Sequence, residues 1–178
     1  MTAVPTSGTY TVPDGAGIGH VHLKVADLER SLAFYHGVLG FAITARHGSG
    51  GAFLSAGGYH HHIGLNTWES LGGTPPPPGH TGLYHFAIRY PARRDLAVAV
   101  KRVIAAGIRL RGASDHGVSE AVYLDDPDGN GVELMWDRPV AEWPRNERGD
   151  IDMFTQPLDL RDLLREADEV AVGEGKDT

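Results

Sequence analysis

The feature that most constrains the fold is an internal repeat. At an offset of 69 residues, FLSAGGYHHHIGL (53–65) lies over VYLDDPDGNGVEL (122–134) without a gap. An offset of 65 places His20 over His85, both at the start of a strand-like run, and an offset of 67 places Gly40 over Gly107, both closing a helical pattern. Small drifts of this kind are what loop insertions produce in a duplicated unit. Within each copy the pattern reads strand, helix, strands. GHVHLKV (19–25) alternates as a strand, and DLERSLAFYHGVLG (27–40) has apolar residues at helical spacing, with Asp27 as N-cap and Gly40 just past the end. AFLSAGG and HHHIGLN read as two strands, and FAITARH (41–47) as a further one. The second copy repeats this with YHFAIRY (84–90), a helix over 94–107, and strands at AVYLDD and GVELMWD. The expected fold class is therefore α+β, with two paired βαβββ modules forming one curved mixed sheet around a cleft. The modules are expected at 17–73 and 82–138, joined by the Pro-rich linker 74–81. Residues 1–16 are expected to form a flexible arm. Residues 139–178 form a C-terminal extension with a short amphipathic helix at PLDLRDLLREA (157–167) and an acidic tail.

Composition narrows the chemistry. The chain has 178 residues, enough for one domain core, and no apolar run long enough for a membrane span. It has no cysteine, so a bound metal must take His, Asp, Glu or water. A net charge of -7 without a basic cluster argues against nucleic acid as a partner. The start MTAVPTSGTYTVPDGAG lacks the basic head and apolar core of a secretory signal, so a cytoplasmic location is expected. Ten histidines are the compositional anomaly.

Two of those histidines occupy equivalent repeat positions. His20 and His85, with Glu133 from the second module, make a set of two imidazoles and one carboxylate, which holds a divalent ion on one face and leaves the other positions open. The first-module equivalent of Glu133 is Gly64.

The strings GHVHLKVADLERSLAFYHGVLGF and DDPDGNGVEL resemble the vicinal oxygen chelate superfamily, which includes glyoxalase I, extradiol ring-cleaving dioxygenases and the fosfomycin and bleomycin resistance proteins. The resemblance covers about residues 17–138 and implies metal ligands at His20, His85 and Glu133. Glyoxalase I uses a second glutamate where this chain has Gly64, a departure that weakens that alternative. Extradiol dioxygenases use three ligands, and their signature is matched by His116, Val122–Tyr123 and Asp126-Pro127-Asp128-Gly129 before Glu133, with Ser114 as a departure. "SDHGVSEAVYL" with "HFAI" is most similar to catechol 2,3-dioxygenase-type proteins.

The resemblance implies an extradiol dioxygenase that cleaves a catechol-like aromatic with O2. Fe(II) is the expected cofactor, with Mn(II), Zn, Ni or Co as other divalent ions. A glyoxalase-type lyase or isomerase is the runner-up, and a non-enzymatic small-molecule binder of the resistance type is a third reading. If the strand of Gly64 continues back through the triplet His60-His61-His62, alternation puts His62 and His60 on the Gly64 face and His61 on the other. The family's acid/base histidine then maps to His62, an imidazole being suited to proton transfer near neutral pH. Tyr123 is expected to donate to a substrate oxygen, and His116 to assist it. By the same analogy the chain is expected to form a homodimer.

Overall fold

The computed structural model describes residues 10–173. Val21–Lys24 forms β1, followed by helix α1 at Leu28–Leu32, which widens into a π-helical turn over Ala33–Val38. The Asp27 carboxylate accepts from the Arg30 amide at 3.0 Å, the N-cap expected from its place before the apolar run. Gly40 closes the helix at φ 86°. Strands β2 (Ala42–His47), β3 (Gly51–Ser55) and β4 (Ile63–Asn66) complete the first half.

The second half repeats the plan. It contains β5 (Phe86–Arg89), α2 (Arg93–Ala105), β6 (Leu110–Asp115), β7 (Ser119–Asp125) and β8 (Gly131–Asp137), with Gly107 at φ 72° after the helix. Sheet orders correspond, β1-β4-β3-β2 and β5-β8-β7-β6, each with one parallel pair at its start. Even the register slips correspond, between Ile43 and Ala45 in β2 and between Leu110 and Gly112 in β6, at the same 67-residue offset. The α+β class and the two βαβββ modules are thus as expected. The expected single sheet is instead two, of four and five strands, because β1 and β5 each pair only within their own half. The fifth strand, β9 (Gln156–Pro157), comes from the C-terminal extension and borders β6.

Each sheet turns one face to the helices. Leu23, Val25, Leu54, Ile63 and Leu65 of the first half and Val122, Leu124, Val132 and Leu134 of the second enter one core with Leu96, Val100 and Val103 of α2. Period-2 alternation sends the intervening residues to the opposite, helix-free faces.

The DPDGNG turn between β7 and β8 locks the halves together. Tyr35, fully buried, donates to Asp126 Oδ2 at 2.8 Å. Asp128 accepts from Ala26 N at 3.0 Å, Ser31 Oγ at 3.2 Å and Arg30 Nη2 at 2.6 Å. On the other side, Arg102 of α2 donates to the carbonyls of Gly37 and Val38 at 2.8 and 2.7 Å, a cation against the open carbonyls that end the first helix.

Helix α3 spans Leu160–Gly173, so it continues into the stretch expected to be a structureless acidic tail. Residues 174–178 of that tail, and residues 1–9 of the expected arm, lie outside the described residues. Leu163 buries against α2, and Arg93 of α2 bonds Glu120 (2.7 Å), Asp162 (2.9 Å) and Glu166 (2.5 Å). No helix among the described residues is long and apolar enough to cross a membrane.

Candidate active site

Glu133 sits mid-strand in β8, beside Ala87 of β5 and Tyr123 of β7. Its neighbours Val132 and Leu134 point into the core, so alternation presents Glu133 on the helix-free face together with Tyr123, its direct cross-strand partner. His85, one residue before β5, reaches the same place: its Nε2 lies 3.0 Å from Glu133 Oε2. The Tyr123 hydroxyl donates to Glu133 Oε1 at 3.2 Å, and His116 Nε2 lies 2.7 Å from that hydroxyl. Four of the six residues expected from the sequence therefore form one hydrogen-bonded chain. Burial, and then the charge of Glu133, push the Tyr123 phenol up to about 12, so it keeps its proton. A cavity of about 200 Å³ opens here, lined by Tyr84, His85, Arg111, Gly112 and Tyr123 among others.

His20 and His62 lie in the first half. His20, just before β1, stacks on His61 with ring centroids 4.4 Å apart. His61 also meets Phe53 at 4.9 Å, and its Nδ1 lies 2.7 Å from that of His60. Burial and the surrounding imidazoles, His20 foremost, hold the His61 ring below the usual histidine range. The His62 backbone remains on the ladder, with its amide bonded to Leu54 O and its carbonyl to Val21 N, but its ring turns back onto the hairpin. There His62 Nδ1 lies 3.1 Å from Ser55 Oγ and accepts from the Ala56 amide at 3.3 Å. The alternation argument thus fails for the triplet, because β4 begins only at Ile63 and the loop preceding it rotates His61 toward His20.

Four neighbours carry no role in the sequence reading. His22 lies beside Gly64, with its Nε2 2.9 Å from Asn66 Nδ2 and its ring flanked by Phe53 and Trp68. A Cβ built on Gly64 would stand 2.9 Å from the His22 ring, so the glycine is a requirement of close packing. The signal for His22 was its spacing of two from His20. Nothing local marks Asn66, or the residues Phe154 and Thr155 that reach His116 from the C-terminal extension.

Among the described residues, no three histidine, aspartate or glutamate side chains converge closely enough to hold an ion, so His20 is not brought to the His85–Glu133 pair. That pair does fit a metal. Two ligand atoms each about 2.1 Å from a common ion and at right angles stand about 3 Å apart, which is the spacing of His85 Nε2 and Glu133 Oε2.

Fold and site together define a duplicated βαβββ protein with an imidazole–carboxylate pair on the open face of its second half. The chain belongs to the Glyoxalase/Bleomycin resistance protein/Dioxygenase superfamily, which it matches over residues 17–134. It is 41% identical over 157 residues to a catechol-2,3-dioxygenase of Bacillus subtilis (strain 168), covering 88% of this chain and 54% of the relative. It is 32% identical over 122 residues to biphenyl-2,3-diol 1,2-dioxygenase 2 of Rhodococcus globerulus, covering 66% of this chain and 61% of the relative. The chain thus spans little more than half the length of these curated relatives. Among solved structures, a glyoxalase/dioxygenase from Nostoc punctiforme superposes with a TM-score of 0.60 at 21% identity, over 75% of this chain and 100% of the other, a likeness of fold.

Proposed function

We propose that the chain is a metal-dependent extradiol dioxygenase that cleaves a catechol-like aromatic with O2. The observation that carries this reading is the chain His116–Tyr123–Glu133–His85, in which a buried carboxylate pairs with an imidazole at ligand spacing and a protonated phenol stands beside them. Similarity to relatives named as catechol and biphenyl-diol dioxygenases points the same way. His85 and Glu133 would hold the divalent ion, Fe(II) before Mn(II), Zn, Ni or Co, with His20 as a third ligand once it is brought to them. Such an ion supplies a positive centre at which a catechol and dioxygen can meet.

The remaining work falls to side chains. Tyr123, kept protonated, offers a substrate oxygen the proton that otherwise rests on His116 Nε2 or Glu133 Oε1. A base for a catechol hydroxyl would come from the histidine triplet, in which His61 contacts His20 and His62 bonds Ser55 and Ala56. The glyoxalase-type reading is weakened by the absence of a second carboxylate at position 64, where Gly64 packs against the His22 ring. A homodimer is part of the proposal, since β1 and β5 each leave one edge unpaired among the described residues.

The test is metal analysis after anaerobic purification, iron reconstitution, and oxygen uptake against a catechol panel. Iron near one per chain with uptake and a yellow product, both lost in His85→Ala, is the expected result. Bound iron with no uptake on any catechol refutes the reading.

A further inference from the structure

We propose that residues 152–157, beyond the span matched by the family, form a strap that fixes the ring and the proton of His116 and thereby decides where the Tyr123 proton points. The strap runs beside β6, with Gln156 opposite Asp115 and Pro157 opposite Ser114. The Phe154 amide donates to His116 O at 3.3 Å, and the Asp152 amide to Pro144 O at 2.9 Å. His116 Nδ1 lies 3.0 Å from Phe154 O and 3.3 Å from Thr155 Oγ1.

A carbonyl oxygen can only accept, so the Phe154 bond requires the hydrogen on Nδ1. In the neutral ring Nε2 is then a bare acceptor, 2.7 Å from the Tyr123 hydroxyl. Tyr123 has one proton and two acceptors, His116 Nε2 at 2.7 Å and Glu133 Oε1 at 3.2 Å. With the strap seated, His116 Nε2 competes for the phenol proton at the shorter distance and weakens the bond to Glu133 Oε1. Without it, the opposite tautomer becomes available, Nε2–H donates to the Tyr123 oxygen, and the phenol proton is turned onto Glu133.

The strap is seated by shape. Gly117 follows His116 at φ 76°, and a Cβ built there would lie 2.6 and 2.9 Å from the Phe154 ring and 2.9 Å from Pro144. The ring of Phe154 rests in the space that the missing side chain leaves. His116 is thus a positioning residue for Tyr123, and Phe154 positions His116.

This proposal rests on the dioxygenase reading only for the reaction the strap serves, and its test does not need turnover. In the full-length, metal-free chain labelled with 15N histidine, ring nitrogen shifts above the titration of His116 report which nitrogen carries the hydrogen. A single Nδ1–H tautomer is expected, changing in Phe154→Gly to a mixture with Nε2–H, and returning in Phe154→Leu, which refills the space over Gly117. With a catechol substrate, Phe154→Gly is expected to lose about tenfold in kcat at little change in KM, the scale for a group that orients an active residue. An Nε2–H tautomer in the unaltered protein overturns the proposal. So does an unchanged Nδ1–H tautomer in Phe154→Gly. If no catechol is turned over while the tautomer shifts as described, the functional reading falls and the strap stands.

Discussion

Replacing Tyr35 by phenylalanine tests whether the two halves are held together where the structure joins them. Tyr35 is fully buried on the first helix, and its hydroxyl donates across to Asp126 Oδ2 at 2.8 Å. Phenylalanine keeps the ring and its packing on Phe34 and Phe86, so the substitution removes one hydrogen bond and little else. A buried hydrogen bond to a carboxylate contributes about 1.5–3 kcal/mol. Asp126 keeps three donors, the amides of Asp128 and Asn130 and the Asn130 side chain at 2.9, 2.8 and 2.9 Å, so it is not stranded. The loss is therefore expected near the middle of that range, about 2 kcal/mol, or roughly 4–8 °C in Tm for a chain of this size. Asp126→Ala removes all four bonds and leaves the Tyr35 hydroxyl buried without a partner, so about 4 kcal/mol or more is expected. The double variant should then fall short of the sum by about 2 kcal/mol, the coupling of one shared bond. Urea titrations of the four proteins supply every term. A Tyr35→Phe loss under about 0.5 kcal/mol, or additive single variants, would show that the contact does not join the halves.

Gly64→Ala is expected to destabilise the chain by about 1–3 kcal/mol as the new methyl meets the His22 ring; a His22→Ala partner substitution should recover most of that loss in thermal melts, and failure to recover it would place the strain elsewhere. Tyr90 has a buried hydroxyl without a hydrogen-bond partner among the described residues, and burial pushes it up to about 12. Because its folded value lies above the unfolded one near 10, the folded state holds that proton longer, and stability is expected to fall as pH rises from about 10 to 12. Tyr90→Phe should match or slightly exceed the parent's stability at pH 7 and show a shallower alkaline decline; an equal decline in both proteins would rule Tyr90 out as its source.

What the sequence made legible follows from which positions answer to local rules. Asp27, Gly40 and Gly107 are set by capping and by helix ends, and each stands where the spacing put it. Glu133 and Tyr123 lie inside long alternating strands, so their faces could be read from period 2 alone. β6 escaped detection because LRGASD mixes glycine and polar residues and carries a register slip, which breaks the alternation a strand is recognised by. The histidine triplet misled for a related reason: its side chains were assigned by extending a strand period backwards into a loop, and one residue of rotation exchanges His61 for His62. Such a one-residue change flips every side chain in a strand, and in a loop no ladder exists to forbid it.

The unequal burial of the two halves bears directly on the site. In the second half, β8 is flanked on both sides and Glu133 is buried, so its carboxylate is held by Tyr123 and His85 in a fixed geometry. In the first half, His20 and His61 meet each other while His22 bonds Asn66 and His62 bonds Ser55 and Ala56. The resemblance of the halves in topology and their divergence at position 64, glutamate's place taken by glycine, allow this difference within one duplicated fold. His22 packs beside Gly64, so the first half carries an imidazole next to the position where the second half carries the Glu133 carboxylate.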